Sequence, residues 1–230
     1  SSATEPRDSN LWGSLFDSRD HLGIADLDGD GDLEIVGLSS GLPGTTGTPD
    51  NDIFGHLVAL HHDGSFVWNR PVAPGKDPRL ANLTPVFRNP AHPTASIGDW
   101  RDTGPTFADL DGDGRPEIIM GFYHDDQTTG SASAVIPGVV AFNGIDGSIK
   151  WVFYGTRTSV TGPSSMMAQV ADLDLDGTPE IVYGNNVIDH NGNLEFSLQL
   201  DDLGSGGVPR RVESAIANFD DDAFGEILVR

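Results

Sequence analysis

Four segments of the chain repeat one pattern of apolar and polar positions. They are IADLDGDGDLEIV from Ile24, FADLDGDGRPEII from Phe107, VADLDLDGTPEIV from Val170 and IANFDDDAFGEIL from Ile216. Each opens on a short apolar stretch, crosses an acidic loop and closes on Glu-Ile with further apolar residues. The flanks lack helical periodicity, and runs this short and rich in β-branched residues read as strands. Each segment is therefore predicted to be a strand–loop–strand hairpin. A second hairpin comes after three of them: HLVALHHDGSFVW ends at Trp68, VVAFNGIDGSIKW at Trp151 and NNVIDHNGNLEF at Phe196. Their turns fall on Asp63-Gly64, Asp146-Gly147 and Asn191-Gly192, dipeptides suited to the positive φ that a tight hairpin needs. His61-His62 reads as the end of a strand, which would send the two rings to opposite faces.

Two hairpins make a four-stranded unit, and four-stranded units of roughly 40–50 residues are the blades of β-propellers. The predicted fold is all-β: propeller blades at about 21–70, 105–155 and 168–200, and an incomplete one at 214–230. Residues 1–20 form a polar N-terminal segment. The last unit lacks a second hairpin, so the 230 residues read as a partial ring, closed by further blades past Arg230 or by a second chain. The alternative is that residues 11–20 supply the missing strands of a compact four-bladed ring. Residues 39–55, 71–104 and 124–138 read as insertions, and long loops on a rigid scaffold are where recognition resides. Within 71–104, Arg79, Phe87, Arg88, His92, Trp100 and Arg101 gather basic and aromatic character. That stretch is either an ordered cover over the propeller or a contact surface for a glycan or protein.

Within the acidic loops the columns are regular. Position 1 is Asp26, Asp109, Asp172 or Asn218, and position 3 is Asp28, Asp111, Asp174 or Asp220. Position 5 is Asp30, Asp113, Asp176 or Asp222, and position 9 is Glu34, Glu117, Glu180 or Glu226. Position 7 (Asp32, Arg115, Thr178, Phe224) has no common side-chain chemistry, so only its backbone carbonyl could serve as a ligand. Position 2 (Leu27, Leu110, Leu173, Phe219) is always apolar and is expected to point into a core. Oxygen donors at 1, 3, 5, 7 and 9 suit calcium, a hard cation taking about 6–8 oxygens in a tolerant geometry. Three calcium sites are expected. A fourth, with neutral Asn218 and with Ala223 in place of a turn glycine, is expected to be weaker. An EF-hand is excluded, because its bidentate Glu stands at position 12 between helices.

The D-x-D-x-D-G-x-x-[DE] hairpins resemble the FG-GAP/VCBS-type repeats of integrin α-subunit propellers and of many secreted bacterial proteins. The resemblance spans nearly all of residues 21–230, without the Phe-Gly and Gly-Ala-Pro signatures. It implies an extracellular or cell-surface calcium-binding propeller.

Charge narrows the partners. The formal net charge is −22, with 35 acids against 13 Lys plus Arg, which argues against nucleic acid and anionic membranes. No apolar run reaches the length of a membrane span, and any signal peptide is expected to have been removed already. The absence of cysteine excludes disulfides, zinc–thiolate sites and thiol nucleophiles. No G-x-S-x-G elbow, phosphate-binding glycine loop or H-E-x-x-H occurs. Asp125-Asp126 and Asp201-Asp202 read as solvated turn residues, and Asn82-Leu83-Thr84 is a glycosylation sequon with meaning only in a eukaryotic secretory pathway. No catalytic residue is assigned. Two function classes stay open: a non-enzymatic adhesion or ligand-recognition scaffold, which the lack of a compact, uncommitted Lys, Arg or His cluster favours, and part of a calcium-dependent propeller enzyme such as a polysaccharide lyase.

Overall fold

The structure, a computed structural model, describes residues 21–39, 56–71, 96–97, 104–125, 135–155, 167–197, 214–220 and 222–229. Every regular element among them is a β-strand, and every pairing is antiparallel. The first sheet runs β1 (Gly23–Ala25), β2 (Glu34–Ser39), β3 (His56–Leu60), β4 (Phe66–Pro71), each pairing with the next. The third repeats this order with β10 (Gln169–Ala171), β11 (Glu180–Tyr183), β12 (Asn186–Ile188) and β13 (Leu194–Ser197). A final pair joins β14 (Ser214–Ala217) to β15 (Glu226–Val229). The acidic loops connect the first two strands of each unit, as their apolar flanks require.

The second sheet departs from the four-stranded expectation. It holds β5 (Ser96–Ile97), β6 (Thr106–Ala108), β7 (Glu117–Asp125), β8 (Val135–Phe142) and β9 (Ile149–Tyr154). β7 is long enough to pair with β6 at Phe107↔Ile118 and with β5 at Ile97↔His124. Part of the stretch read as an insertion at 124–138 is therefore a lengthened β7–β8 hairpin, in keeping with the strand preference of Val135 and Ile136. The stretch 126–134 lies outside the described residues, as do 1–20, 40–55, most of 71–104, and Asp201-Asp202. The two ring-closure alternatives, which turn on residues 11–20 and on residues past Arg230, lie outside them too.

Over Glu117–Gly121, β7 is buried on both faces. Ile118 and Met120, with Val140 and Phe142 of β8, pack against Leu27, Val36, Leu57, Ala59 and Trp68 of the first sheet. Ile119, with Val139 and Ala141 of β8 and Phe153 of β9, packs against Ile181, Tyr183 and Ile188 of the third. Successive residues of a strand face opposite sides, so a sheet held between two others needs an unbroken apolar run. Ile118-Ile119-Met120 is such a run.

The first two sheets each insert a tryptophan into their successor. The Trp68 indole donates to the Gly144 carbonyl at 2.8 Å, and Trp151 donates to the His190 carbonyl at 2.9 Å. A Cβ on Gly147 would lie 2.7 Å from the Trp68 ring, and one on Gly192 would lie 2.6 Å from the Trp151 ring. The glycine that supplies the turn's positive φ is also the seat for the preceding unit's aromatic. The position-2 leucines share the same direction. Leu27 and Leu110 are 1% exposed and pack toward the second and third sheets, and Leu173 reaches toward Gly225. The expectation that position 2 is always buried fails at Phe219, which is 61% exposed, and Phe196 is likewise 48% exposed. Among the described residues no further sheet covers either ring.

Candidate metal centres

The position-9 glutamate organises each acidic loop from the first residue of its second strand. Glu34, Glu117, Glu180 and Glu226 each accept the backbone N–H of position 2 through Oε2, at 2.9, 2.8, 2.7 and 2.6 Å. Glu34, Glu117 and Glu180 are buried, and a buried carboxylate without partners would be costly, so this bond fixes their orientation. Position 5 closes the turn. Oδ1 of Asp30, Asp113, Asp176 and Asp222 accepts the N–H of position 7 at 2.8 Å in every loop. Position 1 gathers the tip: Asp26 accepts from Gly29 and Gly31, Asp109 from Gly112 and Gly114, and Asp172 from Asp176 and Gly177.

These bonds leave carboxylate oxygens converging. Asp26, Asp28 and Glu34 bring ligand atoms within 4.8 Å of one another, as do Asp109, Asp111 and Glu117, and Asp172, Asp174 and Glu180. In the last loop the group is Asp220, Asp222 and Glu226. Four acidic groups could thus hold a metal ion. The close trio in the first three loops is positions 1, 3 and 9, with position 5 engaged in the turn. In the fourth, Asn218 turns its amide nitrogen to the Asp222 carbonyl at 2.6 Å, leaving only a neutral amide oxygen as a ligand atom. At position 7 the side chains do other work. Arg115 donates through Nε to the Asp28 carbonyl of the neighbouring loop, the Thr178 hydroxyl donates to Asp176, and Phe224 is exposed.

Other charges gather at the loops that sequence reasoning did not place there. β3 ends at Leu60, so His61 and His62 lie in the turn rather than in the strand, and the alternation argument for opposite faces does not apply. His61 Nδ1 lies 3.4 Å from Glu34 Oε1, and His62 Nδ1 lies 3.6 Å from Asp32 Oδ2, so both rings reach loop 1. Lys150 Nζ reaches Asp111 Oδ2 at 2.5 Å and Glu117 Oε1 at 2.9 Å. That ammonium holds the Asp111 carboxyl below its ordinary value. Lys150 itself is partly desolvated, which opposes its charge, but its bonds to Asp111 and Glu117 outweigh this and its pKa is raised. In the third loop, burial and then the negative charges of Asp174, Glu195 and Asp172 push Glu180 upward. Glu195 is raised by burial and then by Asp174, Asp189 and Asp176.

No family profile matches the chain, so the FG-GAP/VCBS resemblance rests on the loop motif alone. The chain is 26% identical over 197 residues to rhamnogalacturonan endolyase YesW, and 28% identical over 192 residues to rhamnogalacturonan exolyase YesX. Both are proteins of Bacillus subtilis (strain 168), and each match covers 77% of this chain but 29% of the relative. The chain thus spans under a third of the length of these curated relatives. Among solved structures, those of the same two lyases cover 77% of the chain at 20% identity, and 31% and 30% of their own chains, with TM-scores of 0.46 and 0.47.

Proposed function

We propose that the chain is part of a polysaccharide lyase acting on rhamnogalacturonan, with its repeated units as blades of a calcium-stabilised β-propeller. The observation that carries this reading is the similarity, over 77% of the chain, to an endolyase and an exolyase of one polymer. This favours the enzymatic alternative over the non-enzymatic adhesion scaffold. Because the two relatives differ in cleavage mode, the shared stretch is assigned to scaffold and polymer class and not to endo or exo action. An extracellular location goes with that substrate. Further repeat units are proposed to cover Phe196 and Phe219.

Calcium fits the donor set. The converging groups are all carboxylates, without sulfur or nitrogen, and calcium accepts such hard oxygen cages with irregular geometry. Asp26, Asp28 and Glu34 would hold one ion, Asp109, Asp111 and Glu117 a second, Asp172, Asp174 and Glu180 a third, and Asp220, Asp222 and Glu226 a weaker fourth. Asp30, Asp113 and Asp176 shape the cages through their turn bonds and stand by as further oxygens, and position 7 is left to contribute its carbonyl. A bound ion supplies neutralising charge, so that three carboxylates can stay ionised together. The polymer is itself anionic, and a chain of net charge −22 repels it. Arg79, Arg88, His92 and Arg101, with Phe87 and Trp100, are the residues proposed to meet it.

Two measurements test this. The full-length protein should release unsaturated sugar ends from rhamnogalacturonan, seen by ultraviolet absorbance, and none from homogalacturonan. Polymer binding without any product would return the protein to the non-enzymatic class. Excess chelator should lower the melting temperature by about ten degrees or more, given roughly 2.7 kcal/mol per site at a hundredfold excess of ion over Kd. In chelator, mild acid should restore part of that loss. The raised pKa of Glu180 means that the folded chain holds this proton more tightly than the unfolded chain does, so stability rises as pH falls through that window. An unchanged melting curve in chelator would remove calcium from the account.

A further inference from the structure

The ladder of each second hairpin slips by one residue at the same place. Leu60 pairs with Phe66 and Ala59 with Trp68; Phe142 pairs with Ile149 and Ala141 with Trp151; Ile188 pairs with Leu194 and Val187 with Phe196. The residue left over is Val67 in the first unit, Lys150 in the second and Glu195 in the third. A β-bulge re-aims its extra side chain, and in the second unit the target is plain. Lys150 Nζ bonds Asp111 and Glu117, two of the three carboxylates that converge in loop 2. An ammonium stands where a divalent ion would have to bind the same groups.

We propose that the bulged residue sets the cation affinity of the acidic loop in its own unit, and that Lys150 is a tethered cation making loop 2 the weakest of the three full calcium sites. The proposal rests on the reading of these loops as calcium sites. Lys150 acts in two ways. It neutralises the Asp109–Asp111–Glu117 group, so loop 2 keeps its shape with no ion bound. It also competes, because an incoming ion must displace an ammonium held by two carboxylates and then tolerate that positive charge nearby. Val67 brings no charge to loop 1. Glu195 brings a negative charge to the third unit, where ligand charge raises calcium affinity. The expected order of affinity is loop 3, then loop 1, then loop 2.

Calorimetric calcium titration of the whole chain and of four variants tests this. Lys150→Met should tighten binding at one site by about tenfold or more, a change in ligand-field charge of the kind that tunes calcium loops. Adding Asp111→Asn to that variant should abolish the gain. In chelator, Lys150→Met should melt below the parent, and calcium should close the gap. Val67→Lys should do the converse and weaken one site. Glu195→Gln should weaken the tightest site. If the parent binds no calcium, the reading of the loops falls and this proposal falls with it. If the parent binds calcium while Lys150→Met and Val67→Lys both leave every site's affinity within about twofold, too small a change for a unit charge at contact distance, the proposal alone is overturned.

Discussion

Leu175 stands at position 4 of the third loop with φ at 63°, in the left-handed region where Gly29 (79°) and Gly112 (76°) stand in the first two loops. An L-residue there costs about 1–2 kcal/mol from the clash of Cβ with the backbone. Half-exposed as it is, Leu175 recovers little of this by burial. Leu175→Gly should therefore stabilise the protein by about 0.5–1 kcal/mol, after allowing for the added freedom of the unfolded chain. A urea midpoint that falls instead would show that the leucine contributes more than its exposure suggests. At this scale the acidic columns were legible, because positions 1, 3 and 9, whose oxygens converge in the first three loops, carry a carboxylate in each of them. The left-handed position was not legible. Leu175 and Asp221 interrupt its glycine column, whereas position 6 keeps glycine at Gly31, Gly114 and Gly177.

Among the hairpins, the second turn of each unit is held by an aspartate. The Ser65 hydroxyl and N–H hold Asp63 below the ordinary carboxyl range, and those of Ser148 do the same for Asp146. Partial burial opposes this at Asp189, but bonds from the Asn193 side chain and backbone and from the Asn191 N–H prevail. A depressed folded pKa gives stability that is present above the unfolded value and lost as pH falls through the folded one. Melting temperature should accordingly drop below about pH 3.9, the ordinary aspartate value. Asp189→Ala should cost about 1 kcal/mol near neutrality and flatten the acid limb. An unaltered limb would remove Asp189 from the acid response. Asp-Gly and Asn-Gly made these hairpins visible in the sequence. The bulges beside them were not, since a one-residue slip in pairing leaves no mark on composition. That is why Lys150 was absent from the expected site, and a strand end misplaced by two residues is why His61 and His62 were as well.

Across the whole molecule, the stack is held by close approach between sheets. Gly121 of β7 lies against the buried Tyr183 of β11, and a Cβ there would overlap the ring. Gly121→Ala should destabilise by about 1–3 kcal/mol through overpacking, and Tyr183→Leu in the same chain should recover part of it. Equal urea midpoints for Gly121→Ala and the parent would mean that the sheets can part at small cost. The repeat itself was legible from the loop pattern. The seating of one unit on the next was not, because it joins residues as far apart as Trp68 and Gly144 through a glycine whose presence the turn alone already explains. That seating also has a direction. A unit gives its aromatic ring to the next one along the chain and receives one from the one before, so giver and receiver surfaces are different. A twofold axis needs one patch that matches itself, and these two patches do not. Copies of this fold that meet through them can only line up head to tail, closing into a ring where the rotation allows and extending as a filament where it does not.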